Sequence, residues 1–534
     1  MRRRPVSVLL ALVVLGSAAG IGASGSAPNG GTFRIASCSS AGCVSGIDPA
    51  LAGDTAGSVV LQPVICASLV RYPDKRPPAG YRLVPELAAG FPRISDHGRT
   101  YRFRLREGVR YNTGAVVTGR DIAHAIDRIL DPKMQSLASA SVTGIVGAQD
   151  VLDGKAASPS GMTVTRGTIT FRLTHADGAF LVNLTGVCAV PPGLPDDPEG
   201  VGAPLPSPAP YYAAQYVPGR KIVLERNRFY RGSRPHHVTR FEVDLQGSVD
   251  SIIDRVKAGT ADWGFVGTQI YGSVAADLAR RYGVNKSQFF VRRGLFLRLF
   301  VLNTSSPLFR NNASLRRAVN FAVERSALSA ERGPYTGTPT DHYLSPDFPG
   351  YRNVRIYPLV HPNLARARAL ARGHTRSGKA VVYVPNLPTA VAQAQILQRD
   401  LKRIGLDLTI EQFPPSLLFQ KLSTPGEPFD LGWIGWLSAP DPALLDSLFN
   451  GKWIGNSNYS YLNSPRYNLM LNAADRLTGS ARARAFGRLD LELARDAAPA
   501  IAYAYDNALT LVSSRTGCVV LNPTLDLDAV CLKS

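Results

Sequence analysis

The segment GWIGWLSAPDP, Gly432 to Pro442, holds two of the chain's four tryptophans and no charge before Asp441. Indole rings offer broad apolar faces with one N–H at the edge, which suits them to enclosing an organic solute rather than breaking a bond. Trp433 reads as packing, and Trp436, at the end of the apolar run, as a ring presented to a ligand. Leu437, Ser438 and Ala439 follow it, and Asp441 is the nearest carboxylate. Gly432 and Gly435 permit close approach of a backbone or a ligand. Asn303, in FVLNTSS, is a further candidate contact at a strand end, and is equally suited to forming a turn.

Catalytic chemistry has no comparable signature. GxSxG, HExxH and GxxxxGK[ST] are absent, so nothing in the sequence marks a nucleophile elbow, a zinc helix or a phosphate cradle. An exported hydrolase stays a remote alternative, because catalytic groups need not be neighbours in sequence. His236 and His237 are adjacent and cannot share one strand face, and the six cysteines include no CxxC pair, so neither a metal nor another cofactor is expected. An even cysteine count fits disulfides in an oxidising compartment. Cys38 and Cys43 flank a short loop, and Cys518 and Cys531 bracket VVLNPTLDLDAV, so local bridges are expected for both. Cys66 and Cys188 remain as candidates for a third bridge, with buried free thiols a likelier reading for them than a zinc site.

The compartment is read from the N-terminus. Arg2, Arg3 and Arg4 precede an apolar run from Val6 to Leu15 and then small residues, the pattern of an export signal over residues 1–27. Cleavage near Ala23 or Ala27 is favoured over a retained membrane anchor, because the strongly apolar part is short for a span. No cysteine closes the apolar run, so a lipoprotein of the usual kind is not expected. The chain has 60 Lys+Arg against 40 Asp+Glu, a net charge of +20. In YRFRLREGVRY the arginines alternate with Tyr101, Phe103 and Leu105, which places them on the wet face of a strand. With no zinc-finger spacing and no aromatics interleaved among the basic residues, nucleic acid is not an expected partner. An anionic cell envelope is a better match for the charge.

The elements that must position these residues alternate helix and strand. A length of 534 residues suggests about three domains or lobes. Thr118 and Asp121 form a capping-box pattern before Ile122, Ile126, Ile129 and Leu130 on one helical face. A helix in VDSIIDRVKAG closes at Gly259, another is expected over Ser314 to Leu328, and a third, lined by Leu397, Leu401 and Ile404, closes at Gly405 before a strand carrying Leu406, Leu408 and Ile410. The Pro- and Gly-rich stretches Pro191 to Pro210 and Gly333 to Pro362 read as long loops. FDLGWIGWL, continuous and apolar, reads as a buried strand whose end meets a loop.

Four segments in order resemble family 5 solute-binding proteins of ABC transporters, the dipeptide- and oligopeptide-binding group. They are RLVPELAAGFPRISDHGRTYRFRLREGVRYNTGAVVTGRDIAHAIDRIL, PAPYYAAQYVPGRKIVLERNRFYRG, FVLNTSSPLFRNNASLRRAVNFAVER and FDLGWIGWLSAPDP. Ala209 stands where the family usually has glycine. The resemblance implies an α/β fold, bilobed and periplasmic-binding-protein-like (type II, cluster C-like), with an extra subdomain and a hinge between lobes. Mapped here, lobe I takes residues 32–59, 189–291 and 500–534, the subdomain 60–188 and lobe II 292–499. It also implies a monomer that captures a peptide or peptide-like solute and delivers it to an ABC permease, without catalysis. A membrane-tethered sensor built on the same module is the alternative.

In peptide-binding members an aspartate just after the Gly-Trp pairs with the peptide's ammonium group. The matching positions here are Ser438, Ala439 and Pro440. A buried ammonium without a counter-charge is costly, so the sequence points away from peptides with a free amino terminus.

Overall fold

The computed structural model describes residues 30–38, 46–51, 56–265, 270, 272–437 and 439–533. The expected export signal, Cys43 and Ser438 lie outside the described residues.

The first lobe is built on a five-stranded sheet in the order Trp263–Gly264, Thr32–Ala36, Arg240–Asp244, Lys221–Arg226, Tyr211–Val217. Thr32–Ala36 runs parallel to both its neighbours, and the remaining pairs are antiparallel. Phe33, Tyr211, Leu224, Phe241 and Trp263 fill its core, together with Val60, Leu61, Val64 and Ile65 from the helix Ala56–Ile65. That helix therefore packs with the first lobe, although the sequence-based boundary began the subdomain at residue 60.

The subdomain carries a four-stranded antiparallel sheet ordered Arg93–Ser95, Thr100–Arg104, Thr168–Arg172, Met162–Thr165. Along Thr100–Arg104, Tyr101 and Phe103 are buried while Arg102 and Arg104 are exposed. The helix Gly119–Leu130 covers the buried face, and its start is fixed by the expected capping box: the Asp121 carboxylate accepts the Thr118 N–H at 2.8 Å and the Thr118 hydroxyl accepts the Arg120 N–H at 3.2 Å. Cys66 and Cys188, 122 residues apart, form a disulfide, so these two candidates are bridged rather than left as free thiols. Spacing could not show this, because the two cysteines meet only when the whole subdomain has folded between them. Cys518 and Cys531 pair locally as expected, and Cys38 is also disulfide-bonded.

The second lobe holds a six-stranded sheet ordered Gly337–Pro339, Ala500–Leu511, Phe289–Leu302, Leu431–Leu437, Lys379–Pro385, Asp407–Phe413. Apolar clusters cover both faces, Leu297, Leu299 and Ile434 on one and Phe300, Val382 and Leu431 on the other. Burial on both faces explains why Leu431–Leu437 is continuously apolar rather than alternating. Helix Pro388–Lys402 ends near Gly405, whose φ of +86° suits a residue without Cβ. The single helix expected over Ser314 to Leu328 is instead two, Ala313–Ala322 and Arg325–Ala330. Between them Val323 is extended and the Glu324 N–H donates to Asp400 at 2.9 Å. The fully buried Arg325 then donates to Ala502 O at 2.8 Å and Asn320 Oδ1 at 2.7 Å, tertiary bonds that outweigh one continuous helix.

Two strands of this sheet also connect the lobes. Phe289 pairs with Leu511, and both pack with Ile252, Val256 and Leu278 of the first lobe. A few residues on, Leu297 pairs with Tyr505 inside the second lobe, and the register breaks between Arg293 and Leu297. Ala500–Leu511 thus belongs to the second sheet along most of its length, and the chain regains the first lobe at the strand's far end, where Val512 bridges to Trp263.

Candidate functional site

Leu431–Leu437 lies between Phe289–Leu302 and Lys379–Pro385, and its final residues pair next to the register break, Trp436 with Leu297 and Leu437 with Phe296. The strand therefore delivers its last side chains to the hinge end of the second lobe. Residues three apart on a strand face opposite ways, so the two tryptophans separate. Trp433 Nε1 donates to Gln393 Oε1 at 2.9 Å and Tyr503 Oη at 3.1 Å, and the Arg298 guanidinium sits 5.1 Å from its ring centre. That ring is committed to packing. Trp436 is half-buried on the other face, against the cluster of Leu297, Phe348 and Tyr505, while Leu437 beside it is 60% exposed. An open leucine next to a half-covered indole is an apolar wall able to take a solute.

The turn after this wall is held by charge. Asp441 Oδ1 accepts the Ala443 N–H at 2.8 Å, and both its oxygens accept from Arg482 Nη1, at 2.9 and 2.7 Å. Arg482 reaches Asp475 as well, at 3.4 Å. Burial works against the charge on Arg482, yet Asp441 and Asp475 hold its pKa above the ordinary arginine value. Burial pushes the Asp475 carboxyl up to about 6, with Arg482 opposing. Nearby, Arg293 pairs with Asp347 at 2.9 Å, and Arg298 and Arg332 both pair with Asp506, at 2.7 and 2.6 Å. The carboxylates Asp347, Asp441 and Asp506 are each matched to an arginine.

The facing side comes from the segment between Val70 and Tyr81. Tyr81 enters the same apolar cluster that Trp436 packs against, its ring 6.1 Å from that of Phe348. Tyr72 lies in the field of Asp441 and Arg482. Farther along, the Gly178 N–H donates to Asp475 O at 2.6 Å, and a Cβ at Gly178 would overlap the Leu477 and Asp475 carbonyls. Sequence reasoning did not single out Tyr72, Tyr81, Arg482 or Gly178. The visible trace was the Pro- and Gly-rich YPDKRPPAGY, a tight loop with a tyrosine at each end.

Trp436, Leu437, Ala439 and Asp441 are brought together. Asn303 is not with them. It follows Leu302, which pairs with Leu431, at the opposite end of the strand from Leu437 and about 20 Å away. Its Nδ2 donates to Phe429 O at 2.9 Å and its Oδ1 accepts the Ser305 N–H at 3.1 Å, the bonding of a turn former. Two grooves of about 280 and 300 Å³ open elsewhere, one along Arg34, Glu242 and Arg255 and one along Arg71, Arg106 and Phe229, and neither includes Trp436.

A family model described as bacterial extracellular solute-binding proteins, family 5 Middle, matches residues 82–456. Heme-binding protein A of Haemophilus influenzae is 24% identical over 82% of each chain. The oligopeptide-binding protein OppA of Bacillus subtilis is 21% identical over 73% of each, and the peptide transport periplasmic protein SapA of Salmonella typhimurium is 23% identical over 74% of each. Among solved structures, clavulanic acid biosynthesis oligopeptide binding protein 2 superposes with a TM-score of 0.79 at 23% identity, covering 95% of this chain and 96% of the other. The unliganded open form of the periplasmic murein tripeptide binding protein MppA gives a TM-score of 0.77 at 17% identity, over 94% and 97%. The bilobed architecture is shared with both.

Proposed function

Because the chain belongs to the family 5 bacterial extracellular solute-binding proteins, a family of transport components rather than enzymes, we propose that it captures a peptide-like solute between its lobes and delivers it to an ABC permease. Trp436 and Leu437 supply the apolar wall, with Ala439 following at the start of the turn. The names of the relatives OppA and SapA, as peptide-binding and peptide-transport proteins, favour import over tethered sensing and over hydrolysis.

One observation narrows the solute. Asp441, the only carboxylate in Gly432 to Pro442, has both oxygens bonded to Arg482, so a solute ammonium placed there would have to displace a guanidinium. Removing one partner from a buried ion pair is costly. A solute with a blocked amino end, or one held through neutral polar groups, avoids that cost. The protein acts as an exported monomer, kept near its permease by its N-terminal segment or by attraction of its +20 charge to an anionic envelope.

Native mass spectrometry of the exported domain, followed by denaturing release, tests this reading. Release of N-blocked or otherwise uncharged-end solutes is expected, with loss of that mass in a Trp436→Ala variant that still melts cooperatively. Release of peptides with free amino termini would overturn the argument from Asp441, and full retention by Trp436→Ala would overturn the assignment of the wall.

A further inference from the structure

Two phenolic hydroxyls between the lobes have no bond. The hydroxyls of Tyr72 and Tyr81 are enclosed and have no hydrogen-bond partner, and the Tyr81 side chain is 4% exposed. Buried polar groups are ordinarily paired, so two such atoms at the ends of one short segment call for a physical reason.

Neither hydroxyl is beside apolar surface alone. Tyr72 lies in the field of Asp441 and Arg482, and Tyr81 in that of Asp347 and Arg293. Arg482 is bonded to Asp441 at 2.7 Å and reaches Asp475 at 3.4 Å, and Arg293 is bonded to Asp347 at 2.9 Å. The segment is also pinned: Asn522 Nδ2 donates to Pro73 O at 3.2 Å and to Gly80 O at 3.3 Å, and a Cβ at Gly80 would overlap Lys75 O. The backbone beside each tyrosine is therefore held in place. Burial, reinforced by the neighbouring aspartates, raises both phenol pKa values, so each hydroxyl keeps its proton and remains a donor.

Building on the reading of Trp436 as the solute wall, we propose that Tyr72 and Tyr81 are specificity-determining residues whose hydroxyls donate to carbonyl oxygens of the bound solute. Donors fixed beforehand favour a solute carrying amide or ester carbonyls, and reject one that offers only hydrocarbon at those points, because the hydroxyls would then stay unpaired. This gives the site polar recognition without a charged anchor.

Tyr72→Phe and Tyr81→Phe test it in the full exported chain. The probes are the solute retained on purification and an added mixture of N-acetylated tri- to pentapeptides, with bound mass read by native mass spectrometry and melting temperature read after solute release. The expected result is a five- to twentyfold loss of affinity in each variant, with the solute-free melting temperature unchanged or higher. A merely structural hydroxyl would lower the solute-free melting temperature, and that result overturns the proposal. Wild-type affinity in both variants overturns it too, while leaving the Trp436 wall intact. If the wild-type protein holds neither probe, the reading of the wall fails and the assignment of the hydroxyls fails with it.

Discussion

Arg298 grips Asp506 across the two hinge strands, its Nε lying 3.1 and 3.0 Å from the two carboxylate oxygens and its Nη2 2.7 Å from Oδ2. Arg332 adds a second guanidinium to the same carboxylate at 2.6 Å. Asp506→Ala removes the carboxylate that two largely buried cations share. A loss of roughly 3–5 kcal/mol is expected, read as an earlier urea midpoint for the second lobe. An unchanged midpoint would mean that water replaces the carboxylate at little cost.

The two described disulfides differ in the length of chain they close, 122 residues for Cys66–Cys188 and 13 for Cys518–Cys531. Chain-entropy scaling assigns them about 5 and about 3 kcal/mol. Cys66→Ala/Cys188→Ala should therefore lower the melting temperature more than Cys518→Ala/Cys531→Ala. The reverse order would place their main effect in the folded state.

Asp74, Asp526 and Asp528 bring carboxylate oxygens within 4.8 Å of one another. Burial, with Asp74 beside it, pushes Asp526 up to about 6. Between about pH 4 and pH 6 the folded chain holds a proton that the unfolded chain has released, so stability falls as pH rises through that window and stays reduced above it. Asp526→Asn should raise the melting temperature at pH 7 and leave it unchanged near pH 4. Equal changes at both pH values would remove Asp526 from the account.

His342 bonds through both ring nitrogens, Nδ1 to Asp490 Oδ2 at 2.6 Å and Nε2 to Val354 O at 2.7 Å. Both partners are acceptors, which calls for the imidazolium. Burial opposes that charge, but Asp490, Asp341 and the Val354 carbonyl together raise the pKa above the free value. This stabilisation is full below about pH 6.5 and is lost as pH rises through the raised value. Melting curves from pH 6 to pH 9 should slope downward for the wild type and less so for His342→Gln. Parallel curves would show that the ring does not titrate between pH 6 and pH 9.

The sequence disclosed what local chemistry decides. The capping box at Thr118, the alternation of Tyr101 and Phe103 with arginines, and the helix end near Gly405 depend on residues a few positions apart. The break after Ala322 did not show, because it depends on Asp400 and Ala502, far along the chain. The candidate site divides in the same way. Trp436, Leu437 and Asp441 were visible as one contiguous run, whereas Tyr81 and Arg482 arrive from segments 355 and 46 residues from Trp436 in number, and only folding brings them near. Asn303 lies at the far end of its strand, and a strand-end asparagine looks the same in sequence at either end of the sheet.

The lobes are joined by Phe289–Leu302 and Ala500–Leu511, which pair on both sides of the register break between Arg293 and Leu297. A two-stranded ribbon bends readily across its flat face, but sliding one strand along the other would break a row of ladder bonds. Shear is thereby resisted while flexion stays cheap. Such a joint favours one arc of approach between the lobes, and a solute at the proposed Trp436 wall would lie beside its pivot.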